Sequence, residues 1–278
     1  MKTSDELKQI VKEKYSEIAL QSKEANESSC CGSGCCSTVD TAVFAEDYST
    51  LDGYISDADL GLGCGLPTQY ARIKEGDTVI DLGSGAGNDC FVARAVVGEK
   101  GKVIGIDMTE AMIGKARTNA DKLGFNNVEF RLGEIEKLPV MANTADVVVS
   151  NCVLNLVPDK KKAFAETFRV LKPGGHFSIS DVVITGELPQ AILKAAEMYV
   201  GCVSGAIDKE TYLQIIRETG FVNMELQKER AITLPDDILL TYLSAQELEA
   251  FRQSKAGVYS ITVYAEKPAC CEPGSGCC

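Results

Sequence analysis

Cysteine is the residue type with the most chemistry to offer in this chain. There are 12 cysteines in 278 residues. Eight stand in doublets near the two ends: Cys30, Cys31, Cys35 and Cys36 in CCGSGCC, and Cys270, Cys271, Cys277 and Cys278 in CCEPGSGCC. The Gly-Ser-Gly between doublets reads as flexible chain. Four more lie in the body. Cys64 stands in GLGCGLP, Cys90 in NDCF, Cys152 in SNCVLNL and Cys202 in YVGCVSGA. Cys90, beside Phe91 and Val92 on a predicted helix, reads as a small buried hydrophobe. Position alone leaves Cys152 open between core and function. The glycines around Cys64 and Cys202 make poor core and point to function, and they predict a mobile, reachable Cys64. Three thiols on loops at one end of a fold would form a soft, electron-rich pocket, which suits thiophilic elements rather than hard oxygen substrates. In a reducing compartment such cysteines signal metal, redox or nucleophilic chemistry. Zinc is a separate possibility for the doublets, since Cys31-x3-Cys35 has ligand spacing and the two ends together could supply four thiolates.

A second group is Asp81-Leu82-Gly83-Ser84-Gly85-Ala86-Gly87, after a short apolar run and before a helix. Glycines there let a backbone approach a ligand and aim helix N–H groups at it. The order is G-x-G-x-G, so the third glycine is misplaced for a dinucleotide fingerprint, and the loop has no Lys or Arg for a pyrophosphate. Asp107 ends the next apolar run, where an acid can accept both hydroxyls of a ribose. The lone histidine, His176, rules out a His-rich metal site and reads as a surface residue at a strand start.

The elements that must position these residues follow from periodicity. Residues 4–20 predict an amphipathic helix, capped by Ser4 and striped by Leu7, Ile10, Val11 and Ile18. Residues 21–40 are polar and Cys-rich. Strands are predicted at Thr78–Leu82, Val103–Asp107, Val128–Leu132, Asp146–Ser150 and His176–Val182. A helix at Thr109–Leu123 closes on Gly124, and Leu171–Gly175 (LKPGG) predicts a sharp turn into a strand. Alternation at this spacing means a parallel sheet covered by helices. Beyond 183, helices are predicted at 188–200, 211–219 and 236–253. Strands at 221–229 and 258–266 could pair antiparallel at a sheet edge. The fold class is therefore α/β, a Rossmann-like, mostly parallel sheet with an antiparallel edge strand and a small helical cap. Four regions are expected: 1–40, an N-terminal helix and flexible Cys-rich segment; 41–183, the nucleoside-binding core; 184–268, cap elements and last strands; and 269–278, a flexible Cys-rich tail.

Charge and hydropathy exclude other classes. With 28 Lys+Arg against 40 Asp+Glu the net charge is −12, which argues against nucleic acid. No apolar run is long enough to span a membrane. The amphipathic start lacks a signal-peptide apolar block, so the cytoplasm is expected.

The Gly loop and its two acids resemble motif I of the Rossmann-like, class I S-adenosylmethionine-dependent methyltransferases. The resemblance implies S-adenosylmethionine as cofactor, held by Asp81, Gly83, Ser84, Gly85, Gly87 and Asp107. It places Met108, Glu134 and Ile135 at the adenine and Asn151 beside the methyl donor. From about Tyr48 to Val222 the segments GLGCGLP, SNCVLNL, YVGCVSGA, DLGSGAGNDC and LKPGG resemble the arsenite S-adenosylmethionine methyltransferases. That resemblance implies that Cys152 and Cys202 hold trivalent arsenic, that Cys64 is the third thiol, and that Cys35 or Cys36 matches an N-terminal cysteine. It further implies methylation of arsenite and methylarsenite for detoxification, an enzyme disulfide re-reduced by thioredoxin or glutathione, and a monomer. A methyltransferase of a small organic substrate explains the Gly loop but not the thiols. A thiol-based metal or metalloid binder explains the thiols but not the loop.

Overall fold

A computed structural model describes residues 4–20, 46–189, 192–193, 203–254 and 256–269. Cys35, Cys36, Cys202, both terminal doublet clusters and most of the predicted 188–200 helix lie outside the described residues.

Seven strands form one sheet in the order β3-β2-β1-β4-β5-β7-β6. They are β1 (Thr78–Leu82), β2 (Lys102–Asp107), β3 (Val128–Leu132), β4 (Ala145–Asn151), β5 (Leu171–Thr185), β6 (Val222–Ile232) and β7 (Gly257–Glu266). The first five run parallel. β7 runs against both β5 and β6, inserted between them. The expected Rossmann-like sheet with an antiparallel edge is thus observed. Burial on both faces explains why β1 and β4 read as continuous apolar runs rather than alternating ones.

Helices cover both faces. On one, α5 (Lys160–Val170) and α6 (Lys209–Thr219) pack Phe164, Tyr212 and Ile216 against Ile80, Val148, Phe177 and Ile261. On the other, α3 (Asn88–Val97) and α4 (Glu110–Leu123) pack Phe91, Met112 and Ala116 against Val79, Val103 and Val147. Each fully buried Phe or Ile contributes about 1.5–3 kcal/mol. The one-turn helix α2 (Pro67–Tyr70) precedes β1. α1 (Ser4–Leu20) also lies on the second face, where Tyr15, Ile18 and Ala19 join that core. The predicted stripe is rotated, for Leu7 and Ile10 are exposed.

Two other expectations change. LKPGG is a bulge inside β5, not a turn before it: Ala145 pairs Leu171 and Val147 pairs His176, so Lys172–Gly175 loop out of register. Gly174, at φ 80°, makes the loop possible, and the backbone of Lys267 holds it on both sides. The helix predicted over 236–253 is two helices, α7 (Asp236–Leu240) and α8 (Ala245–Gln253). Ser244 starts the second with a reciprocal capping box to Glu247, a stop signal lodged inside an apolar periodicity.

Candidate functional site

Strand order reverses at β1, whose neighbours are β2 and β4. In such a sheet, ligands bind beyond the carboxyl ends of the strands at that reversal. A cleft opens there, about 1110 Å³ including its mouth. Its walls are the loop after β1, the ends of β2, β3 and β4, and, from outside the sheet, Lys8, Val11 and Tyr15 of α1.

The Gly loop forms one wall. Gly83 sits at φ 71°, and a Cβ there would run into Val153. Gly85 sits at φ 51° and faces open space, so its backbone can approach a ligand closely. Gly87 does not line the cleft; a Cβ there would strike the rings of Phe130 and Phe91, so it serves packing. The side-chain oxygens Ser84 Oγ and Asn88 Oδ1 are buried in this wall without a hydrogen-bond partner. Buried polar atoms of that kind await a ligand or water.

Six acids line the cleft, Asp59, Asp81, Asp89, Asp107, Glu134 and Glu136, and burial raises three of them. Asp107 accepts the Gly85 N–H at 3.1 Å and the Thr109 N–H at 2.8 Å; burial still raises its pKa above the ordinary value. Asp81 is buried, accepts the Cys90 thiol at 3.2 Å, and is raised well above the carboxylate range by burial and then by Asp89. Asp89 is raised to about 6 by burial, against hydrogen bonds from Tyr48 and Asn151 that lower it. Anions crowded and desolvated in this way favour a cationic ligand. Met108, Met112, Ile106 and Ile135 supply an apolar strip on the same cleft. Glu134 also lines it and is bound at 2.7 Å by Lys8, which pairs with Glu136 as well.

Asn151 does something the sequence did not foretell. Its Oδ1 accepts the N–H of Cys64 at 3.0 Å and of Gly65 at 3.3 Å. Its Nδ2 donates to Tyr48 Oη at 2.5 Å and to the Gly65 carbonyl at 2.8 Å. Tyr48 in turn donates to Asp89 at 2.9 Å. A polar chain therefore runs Asp89–Tyr48–Asn151–Cys64, from the acidic cleft to a thiol.

The Cys64 segment is buried and hydrogen-bonded, not reachable from solvent. Cys64 is 2% exposed, and its carbonyl accepts Ser260 Oγ at 2.8 Å. The flanking glycines are there for close approach: a Cβ on Gly63 would lie 2.5 Å from Asn151, and one on Gly65 would lie 2.5 Å from Ser180 Oγ. Cys152 is 3% exposed and belongs to the same buried cluster as Cys64. Leu234, Leu239, Leu243 and Leu248, in and around α7 and α8, close over this cluster, and Val203, next in sequence to Cys202, joins it. Cys152 also lines the cleft, so it faces both regions. Its backbone is left-handed at φ 61°, a conformation a non-glycine residue holds only under constraint.

Cys90 is buried as expected, but its thiol is spent on Asp81. His176 departs from expectation: it lies inside β5, half-buried, bonded at 2.6 Å to the Ala71 carbonyl and stacked on Tyr264. Tyr48, Asp89 and Lys8 were missed. Asp89 had a legible signal, an acid in the first turn of a helix that opens on the Gly loop. Tyr48 and Lys8 had none, because only long-range packing brings them here.

Comparison with known proteins gives a consistent picture. A family model described as a methyltransferase domain matches residues 73–220. The arsenite methyltransferase of Halobacterium salinarum is 41% identical over 95% of this chain and 68% of that protein. The human arsenite methyltransferase is 38% identical over 70% of this chain, and this match spans only 55% of the human protein. Among solved structures, the arsenic(III) S-adenosylmethionine methyltransferase CrArsM from Chlamydomonas reinhardtii superposes with a TM-score of 0.62 at 36% identity, covering 74% of this chain and 68% of that one.

Proposed function

Because the chain belongs to the arsenite methyltransferase family of class I S-adenosylmethionine-dependent methyltransferases, we propose that it methylates trivalent arsenic bound to its cysteine thiolates. The observation that carries this reading is the position of Cys152. It lines the cofactor cleft and at the same time belongs to the buried cluster of Cys64. A metalloid held there adjoins the methyl donor.

S-adenosylmethionine is the cofactor. Its charge suits the cleft, since a sulfonium and an ammonium match Asp81, Asp89 and Asp107. Asp107 would accept the ribose hydroxyls, and Met108 and Ile135 would flank the adenine. Ser84 Oγ and Asn88 Oδ1 would find partners on the bound molecule. Bound S-adenosylmethionine supplies an electrophilic methyl group. Asn151 lines the cleft beside the methyl donor and also pins Cys64, its amide being bonded to Cys64, Gly65 and Tyr48.

Arsenite enters as a neutral hydroxide. Each thiol replaces one hydroxide, and the thiol proton leaves with it as water, so no separate base is needed. Cys64, Cys152 and Cys202 together give a tris-thiolate arsenic that keeps its lone pair. With S-adenosylmethionine in the cleft and arsenic on the thiols, the two sites would bring methyl group and nucleophile together, and most of the rate gain would be this positioning. Transfer makes arsenic formally pentavalent. Two thiolates then reduce it to the trivalent methylated product and couple as a disulfide, with Cys64 as one partner. Thioredoxin or glutathione returns the disulfide to thiols. Cys35 or Cys36 serves as a further thiol in this cycle.

The test is methylated arsenic, detected by chromatography with elemental detection, from protein, cofactor, arsenite and a thiol reductant. Product that disappears without S-adenosylmethionine is the expected result. Absence of product with intact cofactor binding would overturn it in favour of an organic substrate.

A further inference from the structure

The hydroxyl of Tyr48 has one hydrogen and three acceptor oxygens within reach. Two belong to the Asp89 carboxylate, at 2.9 and 3.0 Å, and the third is the Gly65 carbonyl, at 3.1 Å. A hydroxyl hydrogen rotates to suit its partners but serves only one of them well at a time. The Tyr48 ring is buried with Leu66 and Val92. That packing fixes the oxygen and leaves the hydrogen free to choose.

The competing acceptors belong to different regions. Asp89 lines the cofactor cleft. Gly65 follows Cys64, whose N–H is held by Asn151 at 3.0 Å and whose carbonyl is held by Ser260 Oγ at 2.8 Å. Asn151 does not settle the choice, since its Nδ2 donates both to Tyr48 Oη, at 2.5 Å, and to the Gly65 carbonyl, at 2.8 Å. A carbonyl has two lone pairs, so Gly65 can accept from Tyr48 as well as from Asn151. Without a cation in the cleft, the Asp89 carboxylate is the stronger acceptor, because a hydrogen bond to an ion is roughly twice as strong as a neutral one. A ligand ammonium or sulfonium beside Asp89 draws on the same lone pairs, and the hydroxyl then gains more by turning to Gly65.

We propose that Tyr48 is a positioning residue that couples the two sites: a cation in the cleft turns its hydroxyl from Asp89 to Gly65, clamps the Cys64 segment and so tightens arsenic binding. The proposal rests on the reading that Cys64 binds arsenic. Coupling between two sites is reciprocal, so arsenic on Cys64 tightens cofactor binding by the same factor. The metalloid is then held most firmly when a methyl donor is present to react with it.

The experiment uses the reduced full-length protein and sinefungin, an analogue of S-adenosylmethionine with an amine in place of the methylsulfonium, which transfers no methyl group. Calorimetry gives its affinity with and without saturating arsenite, and hydrogen exchange follows the Cys64 and Gly65 amides. In wild type, arsenite should raise sinefungin affinity about fivefold or more, and sinefungin should slow exchange at both amides. Tyr48→Phe keeps the ring and removes the hydroxyl. There the arsenite effect should shrink to less than about twofold, and the sinefungin-dependent protection should be lost. Asp89→Asn keeps the volume and removes the charge. It should uncouple the sites in the same way, and it carries the test if Tyr48→Phe does not fold. Undiminished coupling and protection in a folded variant would overturn the proposal. So would independent binding of the two ligands in wild type. Sinefungin-dependent protection in wild type, lost in Tyr48→Phe, from a protein that yields no methylated arsenic would leave the Tyr48 switch standing and sink the functional reading beneath it.

Discussion

The cofactor cleft and the thiol cluster adjoin at Cys152, yet they are built on opposite principles. The cleft sets acids beside an apolar strip, and its recognisable motifs sit at the carboxyl ends of consecutive strands: Asp81 and Gly83 through Ala86 at β1, Asp107 through Thr109 at β2, Gly133 through Glu136 at β3. The thiol cluster is apolar and gathers residues 64, 152, 182, 203, 239 and 258 from all along the chain. A charged, soluble cofactor can be held by a few local motifs on a rigid sheet edge. A neutral metalloid hydroxide offers little to recognise except its affinity for sulfur. Its site must bring thiols together and keep water away, and only long-range packing does that. The Asp89–Tyr48–Asn151–Cys64 chain is the joint between the two.

The largest expected effect falls on the residue the two regions share. Cys152→Ser should reduce arsenic methylation to background while calorimetry finds S-adenosylmethionine bound as in wild type; retained methylation would remove Cys152 from the site. Asp107→Asn should do the reverse. It loses charge-assisted bonds of about 1.5–3 kcal/mol, so cofactor affinity should fall roughly 10- to 100-fold with arsenic binding to the thiols intact. Asn151→Ala attacks the joint. Thermal melting should report a loss of about 1–3 kcal/mol, and arsenite KM should rise as the Cys64 segment loosens. If KM for the cofactor moves instead, Asn151 belongs to the cleft alone.

Protonation sharpens the contrast, because the titratable carboxylates that crowd together line the cleft. Asp89 is held at about 6, above its ordinary 3.8. A raised carboxylate favours the folded state fully below its unfolded value, and that contribution is lost as the pH rises through about 6. A cationic cofactor needs the ionised form. Its affinity should therefore fall as the pH drops below about 6, with proton release on binding near that pH. Asp89→Asn should flatten this inflection in a calorimetric pH series. The smallest effect is expected for Cys90→Ser, since a hydroxyl can replace the thiol as donor to Asp81. Methylation should remain near wild type, and a large loss would mean that Cys90 does more than hold Asp81.

The two regions also differ in how far the linear chain announces them. The strands β1 to β4, the helix closed by Gly124 and the Gly loop were legible because each rests on neighbours a few residues apart: apolar runs, a left-handed cap, a glycine at a tight turn. The glycines of GLGCGLP were legible as a special segment but read for the wrong reason. They looked like freedom, whereas they are clearance for Asn151 and Ser180, which stand 86 and 115 residues further along the chain from Gly65. His176 looked like a surface residue because the bulge that carries β5 past it is a property of pairing with β4 and β7.

The amino-acid sequence by itself determined the alternation of strands and helices, the acidic Gly-rich loop and the abundance of thiols, since these depend on local periodicity and residue chemistry. The tertiary structure alone decided that Cys64 and Cys152 share one buried cluster, that Tyr48, Asp89 and Asn151 join it to the cleft, and that α1 lines that cleft. Those contacts cross tens to hundreds of residues. Which distant side chains meet is set by the order of strands in the sheet and by close packing, and neither is written in any short stretch of chain.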